Sequence, residues 1–194
     1  MCAELLKSTL KKIEPGQNRL ILYPETDTVR QEHVGVLADE LLDSNFVSEI
    51  LENDMSPGTD FMKLLTFVGC SPVVALSDDP VSSNKYSIRI VSSGDPVIIA
   101  SNRLRSPVCP VCGTGHENSI AADSIERAGD HFNWVCRTCS AAIPVNEINW
   151  RNKLAIASSY IQVNGVFEGE SIPADKLLNR LYGRTGVPWS YCYC

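Results

Sequence analysis

Residues 109–113 read CPVCG and residues 136–140 read CRTCS. Each stretch contains a CxxC pair, in which the two intervening residues form a tight turn that brings both sulfur atoms to one point. Two such pairs supply the four ligands of a tetrahedral metal site. The 23 residues between the pairs slightly exceed the usual gap and leave room for two strands and a loop. We therefore predict one metal site with four ligands: Cys109, Cys112, Cys136 and Cys139.

The residues that flank the two pairs support this prediction. Gly113 and Ser140 directly follow the second cysteine of each pair, where the chain turns sharply and a small residue avoids a clash. Residues 131–135 have the pattern of a strand that leads into the second pair, and residues 142–145 leave it. The pattern predicts a hairpin with the metal at its tip.

From about residue 105 to residue 145 the chain resembles zinc-ribbon and rubredoxin-like knuckle modules. The resemblance implies a bound metal but no particular activity, because such modules occur in proteins of unrelated function. Zinc, iron and a redox dithiol pair are all open. We favour Zn2+ over iron and expect a structural ion, since four cysteines leave no open position. His116 and His131 could each replace a ligand, although four cysteines already suffice.

The C-terminal residues 189–194 read WSYCYC. Strand alternation would place the three aromatic residues on one face and Ser190, Cys192 and Cys194 on the other. One interpretation is an exposed tail for redox or soft-metal chemistry, and the other is a terminal strand whose thiols act as small buried hydrophobes. Because aromatic, strand-favouring residues precede the thiols, we favour the buried strand.

The sequence does not identify any catalytic residue. Cys70 lies between Gly69 and Pro72 and would be a nucleophile only with a lowered pKa and a nearby base such as His33. A buried thiol is the simpler interpretation of Cys70, and Cys2 is expected to be exposed and incidental. There is no Gly-rich phosphate loop, HExxH helix or GxSxG elbow, so a non-enzymatic protein is favoured.

Charge patterning limits the classes of partner. The net charge is −6, and residues 1–80 carry six Lys/Arg against fourteen Asp/Glu, whereas residues 101–153 carry six against five. Nucleic-acid binding draws much of its affinity from clustered Lys/Arg, and no such cluster exists here. We therefore expect a protein partner and do not expect a nucleic-acid partner.

No apolar run approaches the roughly 20 residues that a membrane-spanning helix needs. Residues 1–16 carry charges every few positions and do not have the pattern of a signal peptide. The sequence therefore predicts a cytoplasmic protein that does not enter a membrane and whose eight cysteines are thiols rather than disulfides.

The fold class predicted from these patterns is α+β, with a largely antiparallel sheet covered by a long helix. That helix would begin at Thr26 or Thr28, run to about Glu52 and carry an acidic polar face, which is either a solvated surface or a dock for a basic partner. A shorter helix is predicted over residues 3–13. The predicted strands are residues 19–23, 64–76, 86–100 and 154–169.

Turn residues refine two of these strands. Gly94, Asp95 and Pro96 predict that residues 86–100 form a hairpin, and Asn164-Gly165 predicts a second hairpin. The strands after the cysteine module are too few to fold alone as a unit, so we expect them to pair with the N-terminal sheet. The predicted domains are a core of residues 1–104 plus 146–194 and a zinc-ribbon insertion of residues 105–145.

Two classes of function follow. The first is a zinc-binding, non-enzymatic adaptor in which the ribbon shapes a surface and an acidic or aromatic patch contacts a protein. The second is a cytoplasmic thiol-redox or metal-handling protein that uses Cys192 and Cys194. Fold alone does not separate these classes.

Overall fold

The structure, a computed structural model, describes residues 18–51, 54–68, 86–101, 103–116, 124–128 and 131–194. The predicted N-terminal helix, Cys2, Cys70 and most of the apolar stretch 64–76 lie outside the described residues. Within the described ranges, no helix is long and apolar enough to cross a membrane.

Most of the regular structure in the described residues is extended. The helices are α1 (Val34–Asp43), α2 (Phe61–Leu64) and α3 (Asp175–Thr185), with single 3-10 turns at Gln31–His33 and Val145–Glu147. The strands are β1 (Arg19–Pro24), β2 (Val47–Leu51), β3 (Asp54–Pro57), β4 (Leu65–Phe67), β5 (Ser87–Ala100), β6 (Ile125–Ala128), β7 (His131–Val135), β8 (Ala142–Pro144), β9 (Leu154–Asn164), β10 (Ser171–Pro173) and β11 (Trp189–Tyr193).

The described strands form three antiparallel sheets. The largest has six strands in the order β11-β1-β9-β5-β3-β2, and the others are β10-β4 and β6-β7-β8. In the large sheet, β9 is buried on both faces along almost its whole length, as expected of an interior strand. Strands β9 and β11 both pair with β1, so the C-terminal strands join the N-terminal sheet.

The predicted long covering helix is wrong, and with it the α+β class. The segment before α1 is attached to β9, because Asp27 Oδ1 accepts hydrogen bonds from the backbone N–H and the hydroxyl of Ser158 at 2.7 Å and 2.6 Å. Helix α1 then ends after Asp43, where Asn45 adopts a left-handed φ of 53° and reverses the chain into β2. The architecture is mostly antiparallel β-sheet, and the apolar periodicity beyond residue 46 belongs to a strand.

Both predicted hairpins are also absent. Residues 87–100 form one continuous strand, and Gly94, Asp95 and Pro96 sit at an irregularity in the register against β9. The serine hydroxyl of Ser93 stabilises this bulge by donating to the carbonyl oxygen of Asp95 at 2.6 Å. A bulge absorbs turn residues without ending a strand when the partner strand continues past it. After Gly165 the chain leaves the large sheet towards β10 instead of folding back along β9.

Helices α1 and α3 pack together on one face of the large sheet, over a core that contains Leu20, Leu22 and Ile161. The buried carboxylate of Glu40 on α1 accepts hydrogen bonds from the guanidinium groups of Arg180 and Arg184 on α3. A carboxylate this deeply buried is stable only when charged donors surround it. The α1–α3 contact therefore combines apolar packing with ion pairs between one buried carboxylate and two partly exposed guanidinium groups.

The cysteine module leaves and re-enters the large sheet at neighbouring positions. The last residue of β5, Ala100, pairs with the first residue of β9, Leu154, and the 101–153 segment between them contains the β6-β7-β8 sheet. Trp134 and Ile143 of this small sheet share a hydrophobic cluster with Leu154 and with Ile98 of β5. The module is thus packed on the end of the β5–β9 pair.

Gly58 provides a test of the chain reversal between α1 and β2. A Cβ atom at Gly58 would lie 2.2 Å from the carbonyl oxygen of Asn45, so Gly58→Ala should destabilise the protein by about 1–3 kcal/mol or more. Gly35 in α1 is the matched control, because a Cβ there meets none of the described atoms within 4 Å and Gly35→Ala should stabilise by up to about 1 kcal/mol. Urea unfolding measures both variants, and equal midpoints would contradict the prediction.

Candidate metal centre

The first CxxC pair lies in a tight turn that begins at Cys109. The N–H of Gly113 donates to the carbonyl oxygen of Cys109 at 2.8 Å, and the N–H of Cys109 donates to the carbonyl oxygen of Thr114 at 3.0 Å. Gly113 has a φ of 71°, a left-handed conformation that glycine adopts without steric cost. A bridge between Val108 and Gly115 closes the turn.

The second pair repeats this geometry. The N–H of Ser140 donates to the carbonyl oxygen of Cys136 at 2.8 Å, and the N–H of Cys136 donates to that of Ala141 at 2.9 Å. Ser140 has a φ of 58° and occupies the position equivalent to Gly113. Strands β7 and β8 flank the turn and pair with each other, which gives the hairpin that the sequence predicts.

The two turns bring all four cysteine sulfur atoms within 4.8 Å of one another. Cys109 Sγ lies 3.8 Å from Cys139 Sγ, and Cys112 Sγ lies 3.7 Å from Cys136 Sγ. A regular tetrahedron with zinc–sulfur bonds of about 2.3 Å has sulfur–sulfur edges of about 3.8 Å. The four-cysteine cluster therefore has the dimensions to hold a metal ion.

The cluster has a buried side and an exposed side. Cys109 and Cys136 are inaccessible to solvent, whereas Cys112 and Cys139 are exposed. On the buried side, the ring of Trp134 contacts the imidazole of His116 edge-on, with the ring centroids 5.5 Å apart. The first cysteine of each pair thus belongs to the hydrophobic cluster that joins the module to the β5–β9 pair.

The environment of Cys136 favours the thiolate over the neutral thiol. Burial raises its pKa, but the N–H groups of Cys139 and Thr138 and the imidazole of His116 outweigh burial and lower the pKa to about 5. His116 Nε2 lies 3.2 Å from Cys136 Sγ. A sulfur atom that receives several donors is already prepared to act as a thiolate ligand.

The two exposed thiols differ. The hydroxyl and the N–H of Thr114 lower the pKa of Cys112. The N–H of Ala141 lowers the pKa of Cys139, but burial and the neighbouring thiols outweigh it and raise the pKa to about 12. Four thiolates this close repel one another unless a cation lies between them, and this repulsion is what a bound metal would relieve.

The described region of the module also exposes an apolar surface that the sequence patterns did not reveal. Val108 and Val111 are 64% and 68% exposed, and they lie on the turn that carries Cys109 and Cys112. Arg137 is exposed in the second turn, and Arg105 is exposed just before the first. We call Val108, Val111, Arg105 and Arg137 the knuckle surface. Sequence alone did not separate these valines from core residues.

In the C-terminal CxC pair, Cys192 lies on β11 and is fully buried, whereas Cys194 directly follows β11 and is half-buried. Their sulfur atoms are 3.8 Å apart, on the face that packs against Ile21 and Tyr160. Burial, followed by the neighbouring Cys194, raises the pKa of Cys192 well above its ordinary value. Cys192 thus lacks the exposure and the low pKa that a redox thiol requires.

The two remaining histidines lie apart from this chemistry. His33 Nδ1 accepts a hydrogen bond from the N–H of Arg30 at 3.1 Å and so stabilises the turn before α1. His131 is exposed on β7 and is not a member of the four-cysteine cluster. Of the two histidines predicted as alternative ligands, His116 alone contacts a cysteine sulfur within the described ranges.

No family model, no curated protein and no solved structure matches this chain. The metal centre is therefore interpreted from its own geometry.

Thiol accessibility tests the interpretation of β11. Native protein should be pulsed with iodoacetamide, and modification of each cysteine mapped by mass spectrometry. Cys192 should stay unmodified until the protein is denatured, because the sheet must open to expose it, whereas Cys194 should react in the native state. Rapid native alkylation of Cys192 would contradict the buried-strand interpretation and support the redox hypothesis.

Proposed function

We propose that this chain is a zinc-binding, non-enzymatic adaptor whose ribbon holds one structural Zn2+ through Cys109, Cys112, Cys136 and Cys139. The observation that carries the proposal is the convergence of four sulfur atoms at tetrahedral spacing. Four protein ligands close the coordination shell, so the ion has no position for water or substrate and acts structurally. Zinc is preferred to iron because a structural four-cysteine site needs no redox chemistry.

The zinc ribbon is proposed as an insertion, residues 105–145, in a core formed by residues 1–104 and 146–194. The pairing of Ala100 with Leu154 supports this division, because both ends of the module meet at one place. The three short strands of the module enclose a small core, and small cores of this kind need a metal to fold. We place the protein in the cytoplasm, where thiols stay reduced.

A protein partner is proposed to bind the knuckle surface. Two highly exposed valines and two exposed arginines in the same module suit a partner that presents an apolar patch rimmed by carboxylates. The acidic segment around α1 is a weaker candidate for docking, because Glu40 and Asp43 bind Arg184 and Asp54 binds Arg89. The three tryptophans are buried and cannot form an aromatic docking patch.

Metal analysis tests the zinc assignment. Purified protein should contain about one equivalent of zinc per chain, and the double variant Cys112→Ser/Cys139→Ser should contain almost none. Cys194→Ser is the matched control, because it removes a thiol outside the cluster and should leave the zinc content unchanged. Iron in place of zinc would contradict the choice of metal, and the absence of any metal would overturn the proposal.

The zinc-free double variant should also lose structure locally. Hydrogen exchange is expected to accelerate in β6, β7 and β8, because the binding free energy of a structural zinc is folding free energy. The β1–β9 pair should retain most of its protection. Unchanged exchange in β6, β7 and β8 would show that the module folds without the ion.

The docking proposal is tested with a partner that is first captured from an extract and then purified. Val111→Asp should weaken binding of that purified partner at least about tenfold, or about 1.4 kcal/mol. The introduced carboxylate would be buried in the complex, where it would face the acidic rim of the partner. Val36→Asp is the control, since Val36 is 40% exposed on α1, away from the knuckle surface. Calorimetry measures both, and a loss of affinity with Val36→Asp alone would place the interface on α1.

A further inference from the structure

His116 is positioned against the second CxxC pair by the turn that contains the first. The bridge between Val108 and Gly115 ends immediately before His116, so the imidazole projects from the first turn towards Cys136. Its Nε2 atom lies 3.2 Å from Cys136 Sγ, which is within the range of a hydrogen bond to sulfur. The buried indole of Trp134 contacts the same imidazole at an interplanar angle of 67°.

This contact does not make His116 a ligand. The four sulfur atoms form a set within 4.8 Å of one another, and no nitrogen of His116 belongs to that set. Four thiolates complete a tetrahedron around zinc, which almost never accepts a fifth protein ligand in structural sites. His116 instead reaches one sulfur atom, on the side of the cluster where Cys136 is buried.

We propose that His116 is an outer-sphere positioning residue of the metal centre, with its Nε2–H donating a hydrogen bond to the thiolate of Cys136; this inference rests on the proposed function. A thiolate can only accept, so the ring proton shared with it belongs to Nε2. Four thiolates around Zn2+ carry a net charge of −2, and a donor to one of them withdraws part of that charge. The bond also fixes the orientation of Cys136.

Loss of such a second-sphere donor should weaken metal affinity by about 10–100-fold without changing the ligands. Two variants separate the hydrogen bond from ring packing: His116→Phe keeps a ring beside Trp134 without a donor, and His116→Gln keeps an N–H donor without the ring. His131→Ala is the control, because it removes the other histidine of the module, which is exposed on β7.

The experiment uses the full chain, with circular dichroism to confirm that each variant is folded. Competition with a chromophoric chelator measures zinc affinity, and Co2+ substitution reports the ligand set through its visible absorption. His116→Phe should bind zinc about 10–100-fold more weakly than the wild type, with His116→Gln between the two and His131→Ala unchanged. All of them should show the same four-thiolate Co2+ spectrum.

Three other results would overturn the inference, and they can be told apart. A Co2+ spectrum that changes in His116→Phe would mean that the imidazole is itself a ligand. Equal zinc affinity in His116→Phe and the wild type would mean that the contact has no effect on the metal. Failure of the wild type to bind Zn2+ or Co2+ would overturn both the proposed function and the inference, whereas the first two results would overturn the inference alone.

Discussion

The antiparallel pairing of β5 with β9 is the central pair of the six-stranded sheet, and it links the two ends of that sheet to the cysteine module. Ten residue pairs join the two strands, from Ser87–Asn164 to Ala100–Leu154, across one bulge. Because β9 also pairs with β1, it connects residues near the start of the chain to residues near its end. The same pairing brings the two ends of the cysteine module together, so the position of the metal centre depends on a register set within the large sheet.

The metal centre and the sheet share one hydrophobic cluster. Cys109 and Cys136 are buried in it, together with Trp134 and with Leu154 at the start of β9. The outer cysteines are exposed, so the ion would join a packed interior to a surface turn. An ion held between the buried and the exposed cysteines would make the turn that exposes Val108 and Val111 rigid. An ion held by all four cysteines would have no open position for a substrate.

Cysteines in this chain have different properties because their neighbours differ. Cys136 is surrounded by N–H donors and has a pKa near 5, whereas Cys192 is surrounded by apolar side chains and has a raised pKa. Both are inaccessible to solvent, so burial alone does not decide thiol chemistry. Hydrogen-bond donors stabilise a thiolate, and an apolar environment without them keeps the neutral thiol.

The four-cysteine cluster was predictable from sequence because a CxxC turn is local: two cysteines three residues apart, followed by Gly113 or Ser140, determine where both sulfur atoms point. The face alternation of β11 was predictable for the same reason, since it depends only on strand geometry.

Other features could not be predicted from the sequence, because they depend on contacts between distant residues. The predictions of a long helix and of two hairpins were wrong for this reason, and the exposure of Val108 and Val111 was not predicted. The contact of Asp27 with Ser158 attaches the segment before α1 to β9 and overrides the local helix signal. Strand β9 continues past Gly94, Asp95 and Pro96, so these turn residues form a bulge instead of a hairpin turn. Local chemistry determined the four-cysteine cluster, and the tertiary structure alone decided which face of the cluster is buried, that His116 lies beside Cys136 and that Val108 and Val111 are exposed.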